Sequence, residues 1–246
     1  MRILIILCLA LIISFPAAAQ RDESPLAIDI ASDHIDITTA FSGSRVVLYG
    51  TKAEGSQTAV VIRGPARRMI VREKEPVGGL WMNVEQIVFE NVPSYYDYAT
   101  SLPEDRLSSF DVLRERRIGL NALDFSPSTT AEDETIRSFQ EAMIRNKQNE
   151  GMFPLQPSEV QYLTDTFFKV EFDIPPRLPT GIYIIEVFLF EDGVMTDNRS
   201  QELFVEQVGL NGQLVFLSEF YGFYYGFLAV TIALIAGWGA FAVRRL

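Results

Sequence analysis

The sequence predicts a mainly β fold: an immunoglobulin-like antiparallel sandwich with a helical insertion, plus one C-terminal transmembrane helix. Three observations predict it. Short β-branched runs recur about every 10 to 15 residues with glycine or proline between them. The middle of the chain switches from a two-residue to a helical apolar spacing. The last stretch is apolar without interruption.

The elements follow in chain order. Ile28 and Ile30, then Ile35 and Ile37, alternate with polar residues, as a half-buried strand requires. RVVLY at 45–49 and AVVIR at 59–63 are β-branched runs, bounded by Gly43, Gly50, Gly55 and Gly64-Pro65. Met69 to Val71 and the Trp81 region continue the series, with Gly78-Gly79 as the turn between them. From 102 to 123 the stripe Leu107, Phe110, Leu113 predicts a helix, with Arg114, Arg116 and Arg117 on its other side and Pro103 at its first position. A second helix is expected after Thr129 or Thr130 as its cap. Glu132, Asp133 and Glu134 occupy its first turn, Phe139 and Met143 lie on its apolar face, and Gly151 closes it. The two helices form an insert at about 102–151. Strands return at 166–174, 182–190 and 203–208. Leu178, Pro179, Gly181 and Tyr183 form the proline–glycine–tyrosine pattern that opens a strand in immunoglobulin-like sandwiches.

Both ends of the chain read as membrane-directed. Arg2, the apolar run at 3–15 and Ala17 and Ala19 make residues 1–19 a cleavable signal peptide. Large Leu7 precedes Cys8, which argues against lipidation there, and cleavage leaves no cysteine in the mature chain. Residues 221–243 contain no charge and are expected to form a transmembrane helix, with aromatic Tyr221, Tyr224 and Tyr225 at its start. Arg244 and Arg245 follow, so the tail at 244–246 is expected in the cytoplasm and the domain at 20–220 in the periplasm of a bacterial inner membrane. Gly222, Gly226, Ala229, Ala233 and Gly237 are small residues spaced for close helix packing, against a membrane partner or a second copy of the chain.

Composition narrows the function. The 246 residues hold 21 Lys and Arg against 32 Asp and Glu, a net charge of -11, which argues against nucleic acid as a partner. The sole histidine, His34, and the sole cysteine, Cys8, leave no set for a multi-histidine or cysteine-rich metal site. No nucleophile elbow and no Ser-x-x-Lys arrangement is present, so no catalytic residue, cofactor or metal is expected. Asp29, Asp33, His34 and Asp36 are the densest ligand-like group, but strand alternation splits them between two faces. Arg63, Arg67, Arg68, Arg72 and Lys74 concentrate positive charge in an acidic domain and are candidates for contact with an anion or a partner. Tyr95, Tyr96 and Tyr98 follow Pro93 and are read as a loop whose rings pack over the sandwich.

FSGSRVVLYG at 41–50, VVIRGP at 60–65, VGGLWMN at 77–83, the tyrosine-containing strand at 181–193 and the Tyr-Gly start of 221–239 resemble the alphaproteobacterial putative transmembrane protein family. That resemblance implies a signal peptide, an extracytoplasmic domain and one C-terminal helix. It also implies sulfite- or sulfonate-type permeases as neighbours. The expected role is therefore a non-enzymatic, membrane-anchored accessory or interaction protein, whose helix packs on a membrane partner such as a permease. The alternative is a periplasmic module that binds an anion or another small ligand.

Overall fold

The computed structural model describes residues 24–129, 131–208 and 222–243. The expected signal peptide, the Thr130 cap, Tyr221 and the tail at 244–246 lie outside the described residues.

The described elements run β1 (Ile28–Ile30), β2 (His34–Ile37), β3 (Ser44–Thr51), β4 (Gln57–Arg63), β5 (Ala66–Val77), β6 (Leu80–Pro93) and β7 (Tyr96–Thr100). Next come α1 (Glu104–Leu107), α2 (Phe110–Arg116), a 3₁₀ turn (Leu120–Ala122), β8 (Ser126–Pro127) and α3 (Asp133–Asn149). The chain continues through β9 (Ser158–Glu159), β10 (Gln161–Thr164), β11 (Phe167–Ile174), β12 (Gly181–Glu191) and β13 (Val194–Gln207), and α4 covers Gly222–Val243.

Three sheets result. A four-stranded sheet has the order β1-β3-β11-β10, a six-stranded sheet the order β2-β13-β12-β4-β7-β9, and a three-stranded sheet the order β5-β6-β8. Most pairings are antiparallel. The expectation of a purely antiparallel sandwich is corrected at two places, because β2 pairs with β13 and β7 with β9 in parallel. Both parallel partners are short and lie at the ends of the six-stranded sheet.

The core lies on both sides of that sheet. Leu48, Phe168, Val170 and Phe172 of the four-stranded sheet are fully buried. So are Ala59, Val60, Val61 and Ile62, four successive residues of β4. A strand with one wet face would alternate, so this unbroken apolar run is the mark of a strand covered on both faces. The two covers are visible in β7. Tyr95 reaches the Asp173 carbonyl of β11, while the neighbouring Tyr96 ring donates its hydroxyl proton to the Arg117 carbonyl of the helical insert. At the start of β12, the Tyr183 hydroxyl donates to the Pro179 carbonyl at 2.6 Å, which fixes the turn that the proline–glycine–tyrosine pattern foretells.

The insert departs from its expected form in two ways. The predicted helix at 102–123 is three short pieces. Ser108 takes an extended conformation and donates from Oγ to the Gly193 carbonyl at 2.5 Å, which ends α1, and Arg117 ends α2 in the left-handed region at φ 54°. Pro103 caps α1 from outside, ahead of its first turn. The second helix begins later than the threonines suggest, with Glu132 in the cap position and Phe139 and Met143 buried four residues apart on one face. The tyrosines after Pro93 are not a loop: Tyr96 and Tyr98 belong to β7 inside the six-stranded sheet.

The C-terminal transmembrane helix is the main correction to the expected fold. Among the described residues, no helix is long and apolar enough to cross a membrane. A helix does form, α4, without charge in its first or last turn. The fold class is therefore mainly β, and α4 enters it as an exposed apolar helix: Phe223 is 81%, Phe227 69% and Trp238 74% accessible.

Candidate functional site

Two surfaces stand out: the β5–β6 hairpin and the helix α4. The hairpin leaves the six-stranded sheet through Gly64 and Pro65. Gly64 donates its N–H to the Tyr95 carbonyl at 2.8 Å, and Ser94 donates to the Pro65 carbonyl at 3.0 Å. A Cβ on Gly64 would meet Ser94 Oγ at 2.6 Å and the Tyr183 ring at 2.8 Å, so glycine is the residue that lets the hairpin root pass this close to the core. Near the root, Ile87 and Phe89 are buried, and β8 pairs with Phe89 and Glu90. From Arg72 and Gln86 outward no described residue of the hairpin is buried. The tip closes through Gly78 and Gly79, both at positive φ, as a two-residue hairpin turn demands. Leu80 and Trp81 are each 72% exposed, and Met82 and Val84 are exposed beside them.

The five cationic candidates share this region but do not converge. Arg63, at the end of β4, is half-buried and pairs with Glu186 of the adjacent β12. Burial lowers its pKa from the ordinary value. Arg68 pairs with Glu90 across the hairpin at 3.1 Å, and Arg72 donates from Nε to Gln86 at 3.3 Å. Arg67 and Lys74 lie on the same strand, one near the root and the other toward the tip. Three of the five are thus engaged by side chains of the same domain, and the remaining two are separated along β5.

The acidic group around His34 is a surface feature. His34 Nδ1 lies 2.8 Å from Asp33 Oδ1, and its ring stacks on Phe204 at 5.1 Å. The hydrogen bond to Asp33 raises the His34 pKa and lowers that of Asp33. Among the described residues no group of three or more His, Cys, Asp or Glu side chains could hold a metal ion.

The tyrosines of β7 form a buried polar cluster that composition did not reveal. Tyr96 accepts a hydrogen bond from the Gly119 N–H at 2.8 Å while donating to the Arg117 carbonyl at 2.9 Å. Tyr98 donates to Glu104 at 2.6 Å. Burial pushes the pKa of Tyr95, Tyr96 and Tyr98 up, so all three are neutral donors. Asp97 lies among them. Burial pushes its carboxyl up to about 6, against the pull of the Tyr98 N–H at 2.7 Å and the Tyr95 hydroxyl at 3.3 Å. The cluster ties the helical insert to the sheet. A separate cleft is lined by Lys52, Gln57, Tyr162 and Asp165. Lys52 donates to the Ala53 carbonyl at 3.2 Å and sits 4.8 Å from the Tyr162 ring centroid, and burial lowers its pKa.

The small residues named for helix packing fall on α4. A Cβ on Gly226 or Gly237 would meet nothing within 4 Å, and Ala229 and Ala233 are exposed on the same helix. The surroundings of Gly222 lie outside what is described.

A family described as Putative transmembrane protein (Alph_Pro_TM) matches residues 25–245. The chain belongs to that family. The match takes in the β domain, the hairpin and α4 together, and the family name carries membrane association with it. It names no reaction, ligand or partner. No curated protein matches the chain. Among solved structures, the chain is similar to a family 123 glycoside hydrolase from Clostridium perfringens at 9% identity and a TM-score of 0.25, covering 76% of this chain and 28% of that one. The chain therefore spans little more than a quarter of that hydrolase, and a likeness of this size carries no argument about fold or activity.

Proposed function

We propose that this protein is a membrane-associated, extracytoplasmic accessory subunit that acts by contact and not by turnover. Its β domain is the rigid body on the periplasmic side of a bacterial inner membrane, and α4 is the contact that packs on a membrane-protein partner such as a permease. The observation that supports this reading is α4 itself. It is 22 residues long and free of charge, and large side chains such as Phe223, Phe227, Leu234 and Trp238 are exposed on it. Exposed apolar surface on this scale marks a contact with lipid or with another protein. Gly226 and Gly237 leave the open helix faces that allow close backbone approach. The anion-binding alternative has less behind it, because Arg63, Arg68 and Arg72 already have partners in the domain.

The test is crosslinking in intact membranes followed by purification in mild detergent and identification of the captured protein. Gly226→Leu, Ala233→Leu and Gly237→Leu are expected to reduce recovery of the same captured partner while the domain stays folded. Recovery of the partner at the wild-type level from all three variants would count against the reading. Capture of the chain itself in place of another protein would turn the contact into a homodimer.

A further inference from the structure

We propose that the tip of the β5–β6 hairpin is a lipid-contacting finger, which inserts Leu80, Trp81 and Met82 into the interfacial layer of a neutral bilayer surface. The inference rests on the membrane association of α4 proposed above and adds a second, independent point of lipid contact.

Three observations lead to it. The first is the tip. Leu80 and Trp81 are 72% exposed, Met82 and Val84 are exposed as well, and the four stand together at the end of a free two-stranded ribbon. This cluster of large apolar side chains at the end of the hairpin has no cover among the described residues. Tryptophan with aliphatic neighbours is the combination that favours the boundary between headgroups and acyl chains.

The second is direction. β4 is antiparallel to β12, and β12 to β13, so Arg63 at the end of β4, Ile184 in β12 and Glu202 in β13 lie side by side, with Gln207 farther on at the same end. The hairpin leaves the sheet just after Arg63, and the chain leaves toward α4 just after Gln207. The finger and the connection to the apolar helix thus depart from one end of the sandwich.

The third is length. β5 has 12 residues, about 40 Å at ~3.3 Å per residue, which is the reach of the tip from its root. Residues 209–221 join Val208 to α4 and span at most about 45 Å when extended. That upper bound exceeds the reach of the finger, so the length of the connection allows a surface that holds α4 to lie at the distance of the finger tip.

The charges near the tip select the kind of surface. Lys74 is flanked by Glu73 and Glu75, and Glu73 faces Glu85 directly across the hairpin. This acidic collar gives no attraction to anionic headgroups, so contact comes from apolar insertion and is insensitive to salt. A purely electrostatic contact would be lost as salt rises.

Trp81 is its own reporter, because the chain has two tryptophans and Trp238→Phe leaves Trp81 alone. The full chain carrying W238F is reconstituted in phosphatidylcholine vesicles. The expected result is co-flotation with the vesicles, a blue-shifted Trp81 emission, and quenching by lipids brominated near the headgroup, unchanged between low and high salt. Leu80→Ser with Met82→Ser is expected to weaken that quenching roughly tenfold or more, as the removal of two inserted apolar side chains implies. Co-flotation with Trp81 still open to an aqueous quencher overturns the finger and leaves the α4 reading standing. Shielding of Trp81 that vanishes as the protein is diluted in lipid also overturns it, because a second copy is then the cover. Failure to float overturns the finger, while the contact of α4 with a protein partner is judged by the crosslinking above.

Discussion

β4 holds Ala59, Val60, Val61 and Ile62 entirely out of solvent, while the outer part of β6, which follows in the next hairpin, leaves Leu80, Trp81, Met82 and Val84 exposed. β4 is paired on both edges and the outer part of β6 on one, and both are rich in apolar side chains. The difference is what lies over their faces. β4 has the four-stranded sheet on one side and the helical insert on the other. The hairpin is covered by β8 and α3 near its root, and from Arg72 and Gln86 outward none of its described residues is buried. Backbone pairing forms both strands, and coverage of their faces separates a core strand from a contact surface. The apolar effect makes the first a source of stability and the second a source of affinity for something outside the domain.

The sharpest way to break this comparison is to cut into the covered strand. Ile62→Ala removes three heavy atoms from a fully buried site between two layers, and a loss of about 2–5 kcal/mol is expected. Denaturant unfolding of the full chain in mild detergent measures it. A loss under 1 kcal/mol would mean that β4 is not the packed centre of the fold.

A second test uses the polar part of the covered layer. Asp97 has its carboxyl raised to about 6, first by burial and further by the Asp173 charge, while the Tyr98 N–H and the Tyr95 hydroxyl act against the shift. An unfolded aspartate titrates near 3.9. Between about pH 4 and 6 the folded chain keeps a proton that the unfolded chain has released. Stability contributed by this group therefore falls as pH rises through that window and is constant above it. The whole effect is at most about 3 kcal/mol. Asp97→Asn keeps a neutral group in place and is expected to remove this slope from the difference between pH 4.5 and pH 7. An unchanged slope in the variant would place Asp97 in a wetter setting than the structure gives it.

Much of the β framework was legible in the sequence, because alternation and β-branched runs report directly on strands: β3, β4, the Gly78-Gly79 hairpin, β11 and β12 fall where the pattern puts them, while the alternation of Ile28, Ile30, Ile35 and Ile37 is two short strands in different sheets. The first half of β13 was not legible. Its residues from Val194 to Glu202 are mostly polar, and it is held in the sheet by backbone pairing with β12 and not by an apolar face. Tyr96 and Tyr98 looked like loop residues because proline and serine precede them, yet the helical insert that follows directly in the chain packs on both rings. The broken helix in the insert had no local signal either, since Ser108 leaves the helix to bond Gly193, a residue 85 positions away. The five cations were found, but not that Glu186, Glu90 and Gln86 engage three of them, because pairing across strands depends on register. The tip residues VGGLWMN were read for their turn and their family resemblance. The sign that could have marked them as a surface is three successive large apolar residues just after a Gly-Gly turn, where a half-buried strand would alternate.

The smallest expected effect sharpens the comparison from the uncovered side. Replacing Leu80, Trp81 and Met82 together by serine removes more apolar surface than Ile62→Ala does, yet that surface is already in water in the folded chain. Only the cross-strand contacts are lost, Trp81 with Pro76 and Met82 with Glu75, each worth a few tenths of a kcal/mol. The change in folding stability is expected to stay within about 0.5 kcal/mol in the same denaturant measurement, with an unchanged dependence on denaturant. A loss above 1 kcal/mol would show that the tip packs against part of the chain after all, and the exposed ribbon would then belong with β4 as part of the core.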